Sequence, residues 1–158
     1  EARIDTVMEP VPLTTLIQER MAMLAPLAAE RGIELEFYSH DEIWVTGVRE
    51  RLMSLLDNVI ENAVKYSPEG GRVEVEVRSL DESTQLRVSD AGPGIPVELR
   101  ERVFDRFFRD PNQMQSGSGL GLAIVKAVAQ LHNSSVYLST SAEGGLMVTV
   151  DFPNRRPA

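Results

Sequence analysis

Asn58, Asn62 and Lys65 fall at i, i+4 and i+7 of one helical stretch, which stacks them along a narrow strip. The strip lies beside the apolar face made by Leu52, Leu55, Leu56, Val59 and Ala63. Asparagine is a poor interior helix residue, because its amide competes for backbone groups, so two of them bordering a core want polar partners. Those partners are either a neighbouring loop or a ligand. A ligand that suits amide oxygens is a hard cation such as Mg²⁺, which keeps several waters and shares its other positions with phosphate oxygens.

Three further clusters carry chemistry. Asp90-Ala91-Gly92-Pro93-Gly94-Ile95 follows a predicted strand. A carboxylate there accepts a hydrogen bond from an exocyclic amine, and the glycines let a flat ring approach the backbone. Adenine offers that amine and guanine does not; an ordinary Asx turn is the alternative. Gly117-Ser118-Gly119-Leu120-Gly121-Leu122 opens an apolar helix. Free N–H groups and the positive dipole end make such a turn an anion site, and a flexible hinge is the alternative. It is no P-loop, since neither Lys-Ser nor Lys-Thr follows, and its third glycine is misplaced for a dinucleotide fingerprint. Val103-Phe104-Asp105-Arg106-Phe107-Phe108-Arg109 combines core-type rings with two arginines beside a polar loop, from which they could reach a polyphosphate.

The elements that must position these residues follow from periodicity. Leu13, Leu16, Ile17, Met21, Leu24, Leu27 and Ala28 predict a helix over 13–31 ending at Gly32, with Pro26 kinking or breaking it. Residues 33–38 alternate as a half-buried strand, and a short strand is expected around Trp44 and Val45. A second helix spans 48–66 and stops at Ser67-Pro68-Glu69-Gly70-Gly71. Val73, Val75 and Val77, then Leu86 and Val88 after a turn at Asp81-Glu82-Ser83, predict an antiparallel hairpin with one wet face. A short helical stretch near 97–106 leads to an aperiodic loop from Asp110 to Ser116. A helix over 120–131, apolar almost all round, is expected to be buried, and strands near 135–140 and 146–152 close the domain. The layout is α+β: a two-layer sandwich of one mixed, mostly antiparallel sheet under three helices.

Composition removes other classes. The chain has 158 residues, 42% hydrophobic, enough for one core without disulfides or metals. It has no cysteine, which excludes a disulfide framework and a thiol nucleophile. A net charge of −8 argues against nucleic acid as a partner. No apolar run approaches the ~20 residues of a membrane span. The chain opens Glu1-Ala2-Arg3-Ile4, without methionine, as a piece of a longer protein would.

Taken in order, the four clusters resemble the catalytic ATP-binding domain of bacterial two-component sensor histidine kinases, within the Bergerat-fold superfamily of gyrase, heat-shock-chaperone and mismatch-repair ATPases. Asn58-Val59-Ile60-Glu61-Asn62-Ala63-Val64-Lys65-Tyr66 resembles the N box, Asp90 to Gly94 the G1 box, Phe104 to Phe108 the F box, and Gly117 to Leu122 the G2 box. The resemblance implies that ATP and Mg²⁺ bind, with Asn62 and Asn58 as metal ligands and Lys65 and Tyr66 facing the phosphates. It implies that Asp90 takes the adenine amine while Gly92, Gly94 and Ile95 shape the base pocket. Arg106, Phe107 and Arg109 would belong to the hinge of an ATP lid, and Gly117, Ser118, Gly119, Leu120, Gly121 and Leu122 would hold the phosphates. The implied reaction is transfer of the γ-phosphate to a histidine on a separate dimerisation domain, and from there to a response regulator. Residues 1–12 would connect to that upstream domain, 13–153 would be the catalytic domain, and 154–158 a loose tail. The piece would be a cytoplasmic monomer without membrane contact, its parent a homodimer in the inner membrane.

Departures qualify the resemblance. The family's glutamate base, one turn before the magnesium asparagine in hydrolysing relatives, is Asn58 here, which favours transfer over hydrolysis; Glu61 is the nearby candidate base. His132-Asn133-Ser134 stands where relatives carry His-Gly-Gly, and Met147 stands where many have a serine or threonine that contacts the base. His40 and His132 lack the context of a phosphoacceptor. The alternatives are an ATP-binding switch of the same superfamily that gates dimerisation, and a serine kinase of the same fold.

Overall fold

The computed structural model describes residues 7–39, 41–105 and 121–153. The first helix, α1 (Leu13–Glu30), buries Leu13, Leu16, Ile17, Met21 and Ala28. Its stop is the expected glycine. Gly32 takes φ +69°; its N–H donates to Ala29 O and that of Ile33 to Ala28 O, a Schellman cap. Of the two expectations for Pro26, a break is excluded: the helix runs through it continuously. Pro26 and Ala22, whose carbonyl loses its partner, both lie on the exposed face, where water can replace the missing bond.

Helix α2 (Arg49–Tyr66) buries Leu52, Leu55, Leu56, Val59, Ile60, Ala63 and Val64. Arg20 of α1 grips Asp57 of α2 in a two-pronged ion pair at 2.8 and 2.9 Å. Arg31 donates to the carbonyl of Lys65 at 2.8 Å, satisfying an otherwise orphan acceptor at the α2 terminus.

Seven strands follow: β1 (Glu9–Pro12), β2 (Glu34–Tyr38), β3 (Trp44–Gly47), β4 (Arg72–Ser79), β5 (Ser83–Ser89), β6 (Ser135–Thr140) and β7 (Leu146–Pro153). The main sheet has the order β2-β4-β5-β7-β6, with β2 and β4 parallel and the other neighbours antiparallel. Val73, Val75, Val77, Leu86, Val88, Val148, Val150 and Phe152 all point into the core, so one face is dry and the alternate residues form the wet one. Periodicity does not announce β1, which lies within the stretch expected to be a connection. It pairs with β3 in a separate two-stranded sheet, so the strand at Trp44 lies outside the main sheet.

Between β5 and α3 (Gly121–Leu131) the expected short helix is instead two 3₁₀ turns, Val97–Leu99 and Arg102–Phe104. Helix α3 is less buried than its composition suggests. Leu122, Val125, Val128 and Ala129 face the core, while Lys126, Ala127, Gln130 and Leu131 are exposed, because α3 packs with one side only, chiefly against α2 and to a lesser extent against β6. The α3 terminus resolves the His-Asn-Ser departure. Asn133 takes φ +53°, and the N–H groups of Asn133 and Ser134 close on Gln130 O and Ala129 O. Asparagine thus occupies the left-handed position that glycine holds elsewhere.

Candidate nucleotide site

Helix α2 carries the polar strip into the gap facing α3. The Asn58 amide nitrogen donates to Ser54 O at 2.8 Å, which turns its Oδ1 outward. A Cβ placed on Gly121 would lie 3.6 Å from Asn62 Oδ1 and 3.8 Å from Asn58 Oδ1. Both amide oxygens therefore converge on the first residue of α3. Lys65 continues the same strip, half-buried. Glu61 is exposed and lies about 60° round the helix from Asn58, away from this gap.

The far end of α2 meets the Asp90 loop. A Cβ on Gly92 would fall 2.4 Å from Tyr66 O, so only glycine allows this approach. Ser67, buried, accepts a hydrogen bond from Ala91 N at 3.3 Å. Gly94 takes φ +74° and packs against the carbonyls of Gly144 and Gly145. Ile95 is half-buried against the core, and Arg100 donates to its carbonyl at 3.0 Å.

Asp90 sits at the end of β5, 5% exposed. Its Oδ1 accepts from Gly92 N at 2.9 Å and Leu146 N at 3.0 Å. Its Oδ2 has no protein donor among the described residues. Burial raises the Asp90 carboxyl above its ordinary value, and the two backbone N–H groups draw it part of the way back. A half-occupied, buried carboxylate of this kind is set to accept one more donor.

Two residues that sequence reasoning missed hold Asp90 from behind. Ser141 Oγ donates to Asp90 O at 2.7 Å and accepts from Gly145 N at 2.9 Å. A Cβ on Gly145 would lie 2.2 Å from Asp90 O. The Gly144-Gly145 pair between two predicted strands was the available signal. Met147 supplies no hydroxyl at the position where many relatives contact the base. Strand alternation turns Met147 to the wet face, where its Sδ lies 3.3 Å from Arg87 Nε, and Leu146 is the β7 residue bonded to Asp90.

His132 is buried with both ring nitrogens engaged, unlike an exposed phosphoacceptor: Nε2 accepts from Val48 N at 3.0 Å, and Nδ1 faces Val128 O at 2.8 Å. Leu122 belongs to the core. Phe104 lies half-buried under Lys126, whose Nζ is 4.8 Å from the ring centroid. Arg106, Phe107, Arg109, Gly117, Ser118, Gly119, Leu120 and His40 lie outside the described residues.

The donor set discriminates among metals. Among the described residues no group of three His, Cys, Asp or Glu could hold a metal ion. Two neutral amide oxygens are too few for a dedicated cage, but they fit Mg²⁺ shared with phosphate oxygens.

Residues 47–156 match the family model described as histidine kinase-, DNA gyrase B-, and HSP90-like ATPase. The sensor protein kinase PmrB of Pseudomonas aeruginosa is 39% identical over 150 residues, covering 94% of this chain and 31% of PmrB. The signal transduction histidine-protein kinase BaeS of Escherichia coli K12 is 34% identical, covering 93% of this chain and 32% of BaeS. The chain thus spans about a third of the length of these relatives. Among solved structures, the mycobacterial sensor histidine kinase MprB superposes with a TM-score of 0.82 at 33% identity, covering 96% of this chain and all of the other. Full-length ShkA in complex with AMPPNP gives 0.81 at 27% identity, covering 99% of this chain and 33% of ShkA. The chain belongs to the histidine kinase-, DNA gyrase B- and HSP90-like ATPase family, and its relatives are sensor histidine kinases.

Proposed function

We propose that this domain binds Mg·ATP between α2, α3 and the Asp90 loop, and that it delivers the γ-phosphate to a histidine on a separate helical dimerisation domain. The observation that carries the reading is the placement of two recognition elements at opposite ends of α2's polar strip. The paired oxygens of Asn58 and Asn62 face Gly121, and the half-occupied carboxylate of Asp90 lies beside Tyr66 and Ser67. The AMPPNP complex of ShkA supports the same ligand class.

In this reading Asp90 Oδ2 accepts the adenine amine, with Gly92 and Ile95 forming the floor under the ring. Lys65 neutralises phosphate charge from the same strip that carries the asparagines, and the N-terminus of α3 faces the phosphates. Asn58 and Asn62 would hold Mg²⁺, which when bound offsets the charge that develops on the phosphate oxygens. The acceptor imidazole nitrogen attacks the γ-phosphorus in line, the bond to the β–γ bridging oxygen breaks, and ADP leaves with the electron pair. The domain's contribution is positioning and charge neutralisation. With Asn58 in place of a glutamate, no carboxylate on the strip is set to activate water.

Residues 1–12 connect to the phosphoacceptor hairpin, the catalytic domain is 13–153, and the parent is a homodimer at the inner membrane that passes phosphate to a response regulator. No helix among the described residues is long and apolar enough to cross a membrane.

The test is incubation of this chain with γ-labelled ATP and the phosphoacceptor hairpin of a sensor histidine kinase supplied in trans. An acid-labile, base-stable label on the hairpin, absent with Asn62→Ala, is expected. An acid-stable label would replace the reading with a serine kinase, and free phosphate without protein label with a hydrolytic switch.

A further inference from the structure

The turn between β6 and β7 does more than connect them. Ser141, 6% exposed, uses its single hydroxyl twice, donating to Asp90 O at 2.7 Å and accepting from Gly145 N at 2.9 Å. The turn is closed on itself by Ser141 N to Gly145 O at 2.9 Å and Gly144 N to Ser141 O at 3.0 Å. It is joined to β5 by Asp90 N to Leu146 O at 2.9 Å and by Leu146 N to Asp90 Oδ1 at 3.0 Å. From outside, Glu143 pairs with Arg72 of β4 at 2.8 Å. The backbone of Asp90 is thus clamped against a turn fifty residues later in the chain, and the absence of a Cβ on Gly145 is what lets the two approach.

We infer that Ser141 is a positioning residue for base recognition: by fixing the Asp90 carbonyl and the Gly145 amide together, it aims Asp90 Oδ2 at the exocyclic amine of the nucleotide. The inference rests on the assignment of Asp90 as the adenine acceptor and deepens it. One hydroxyl sets the orientation of both backbone segments that donate to, or carry, the carboxylate. Its loss lets Asp90 rotate away from the base while leaving the phosphate end of the site, at Asn58 and Asn62 on α2, unchanged.

That separation gives the test its discriminating readout. The full chain is titrated calorimetrically with a non-hydrolysable ATP analogue and with the corresponding purine nucleotide that lacks the exocyclic amine. Wild type is expected to prefer the amine-bearing ligand. Ser141→Ala is expected to weaken that ligand roughly two- to tenfold, the worth of one hydrogen bond, and to leave the amine-free one unchanged, so that the preference shrinks. Ser141→Cys, which keeps a weak donor of similar shape, carries the same comparison if the alanine variant does not fold, and is expected to fall between the two. A structural role alone would weaken both ligands equally, and that result, or an unchanged preference, overturns the inference. A wild type that shows no preference overturns the assignment of Asp90 itself and the inference with it.

Discussion

Replacing Asp90 with asparagine should separate stability from recognition, and the structure says why. Oδ1 of Asp90 accepts two backbone N–H groups, from Gly92 and Leu146. An asparagine side chain can keep both only with its oxygen in that place, because the reverse orientation would set its NH₂ against two donors. The NH₂ group then occupies the position of Oδ2 and faces the adenine amine, donor against donor. A hydrogen bond to a charged group is worth about 1.5–3 kcal/mol, so binding should weaken roughly 10- to 150-fold. Stability should move the other way. Burial raises the Asp90 carboxyl above its unfolded value. Between the two values the folded state holds more protons than the unfolded one, so stability falls as pH rises through that acid window. Above the window the ionised carboxylate carries a constant cost, which asparagine does not. Asp90→Asn should therefore unfold at the same or a higher temperature than wild type near neutral pH, with the difference vanishing in acid. Calorimetric titration with a non-hydrolysable ATP analogue and thermal unfolding across pH measure both halves. Unchanged affinity, or a marked loss of thermal stability near neutral pH, would refute the reasoning.

Other expectations follow from single contacts. Asn62→Ala should remove the Mg²⁺ dependence of nucleotide affinity, worth about 1.4 kcal/mol or a factor of ten, while thermal unfolding shifts little because the side chain is half-exposed. Gly92→Ala places a Cβ 2.4 Å from Tyr66 O, and should cost roughly 1–3 kcal/mol in denaturant unfolding and abolish nucleotide binding, since α2 and the Asp90 loop must separate. Asn133 holds a left-handed conformation at φ +53°. Asn133→Ala should destabilise the domain by about 1 kcal/mol and Asn133→Gly should be neutral or stabilising, with nucleotide affinity unchanged in both.

Much of the site was legible because it is written in local spacing. Asn58, Asn62 and Lys65 share a strip by helical arithmetic alone, and α2 forms where its leucines and valines predict it. Gly32 ends α1 as a C-terminal glycine should, and the β4–β5 hairpin follows its alternating valines. What escaped was set by long-range contacts. Strand β1 is four residues with two prolines, and only its pairing with β3 makes it a strand. Ser141 is an unremarkable serine until Asp90, 51 residues earlier, is folded against it. Pro26 is tolerated because its missing bond faces water, a fact of tertiary placement. Met147 is the opposite case. The alternation of Leu146 and Val148 with their neighbours already puts position 147 on the wet face, so the period-2 pattern was enough to set Leu146, not Met147, against Asp90.

The central claim is that α2, α3 and the Asp90 loop build one Mg²⁺-dependent adenine nucleotide site. Titration of the unmodified chain with a non-hydrolysable ATP analogue, with and without Mg²⁺ and against the guanine counterpart, tests it most directly. The account predicts saturable binding that strengthens with Mg²⁺ and is lost when guanine replaces adenine. Absence of binding at millimolar nucleotide to the folded chain, or equal affinity for both bases, would contradict it.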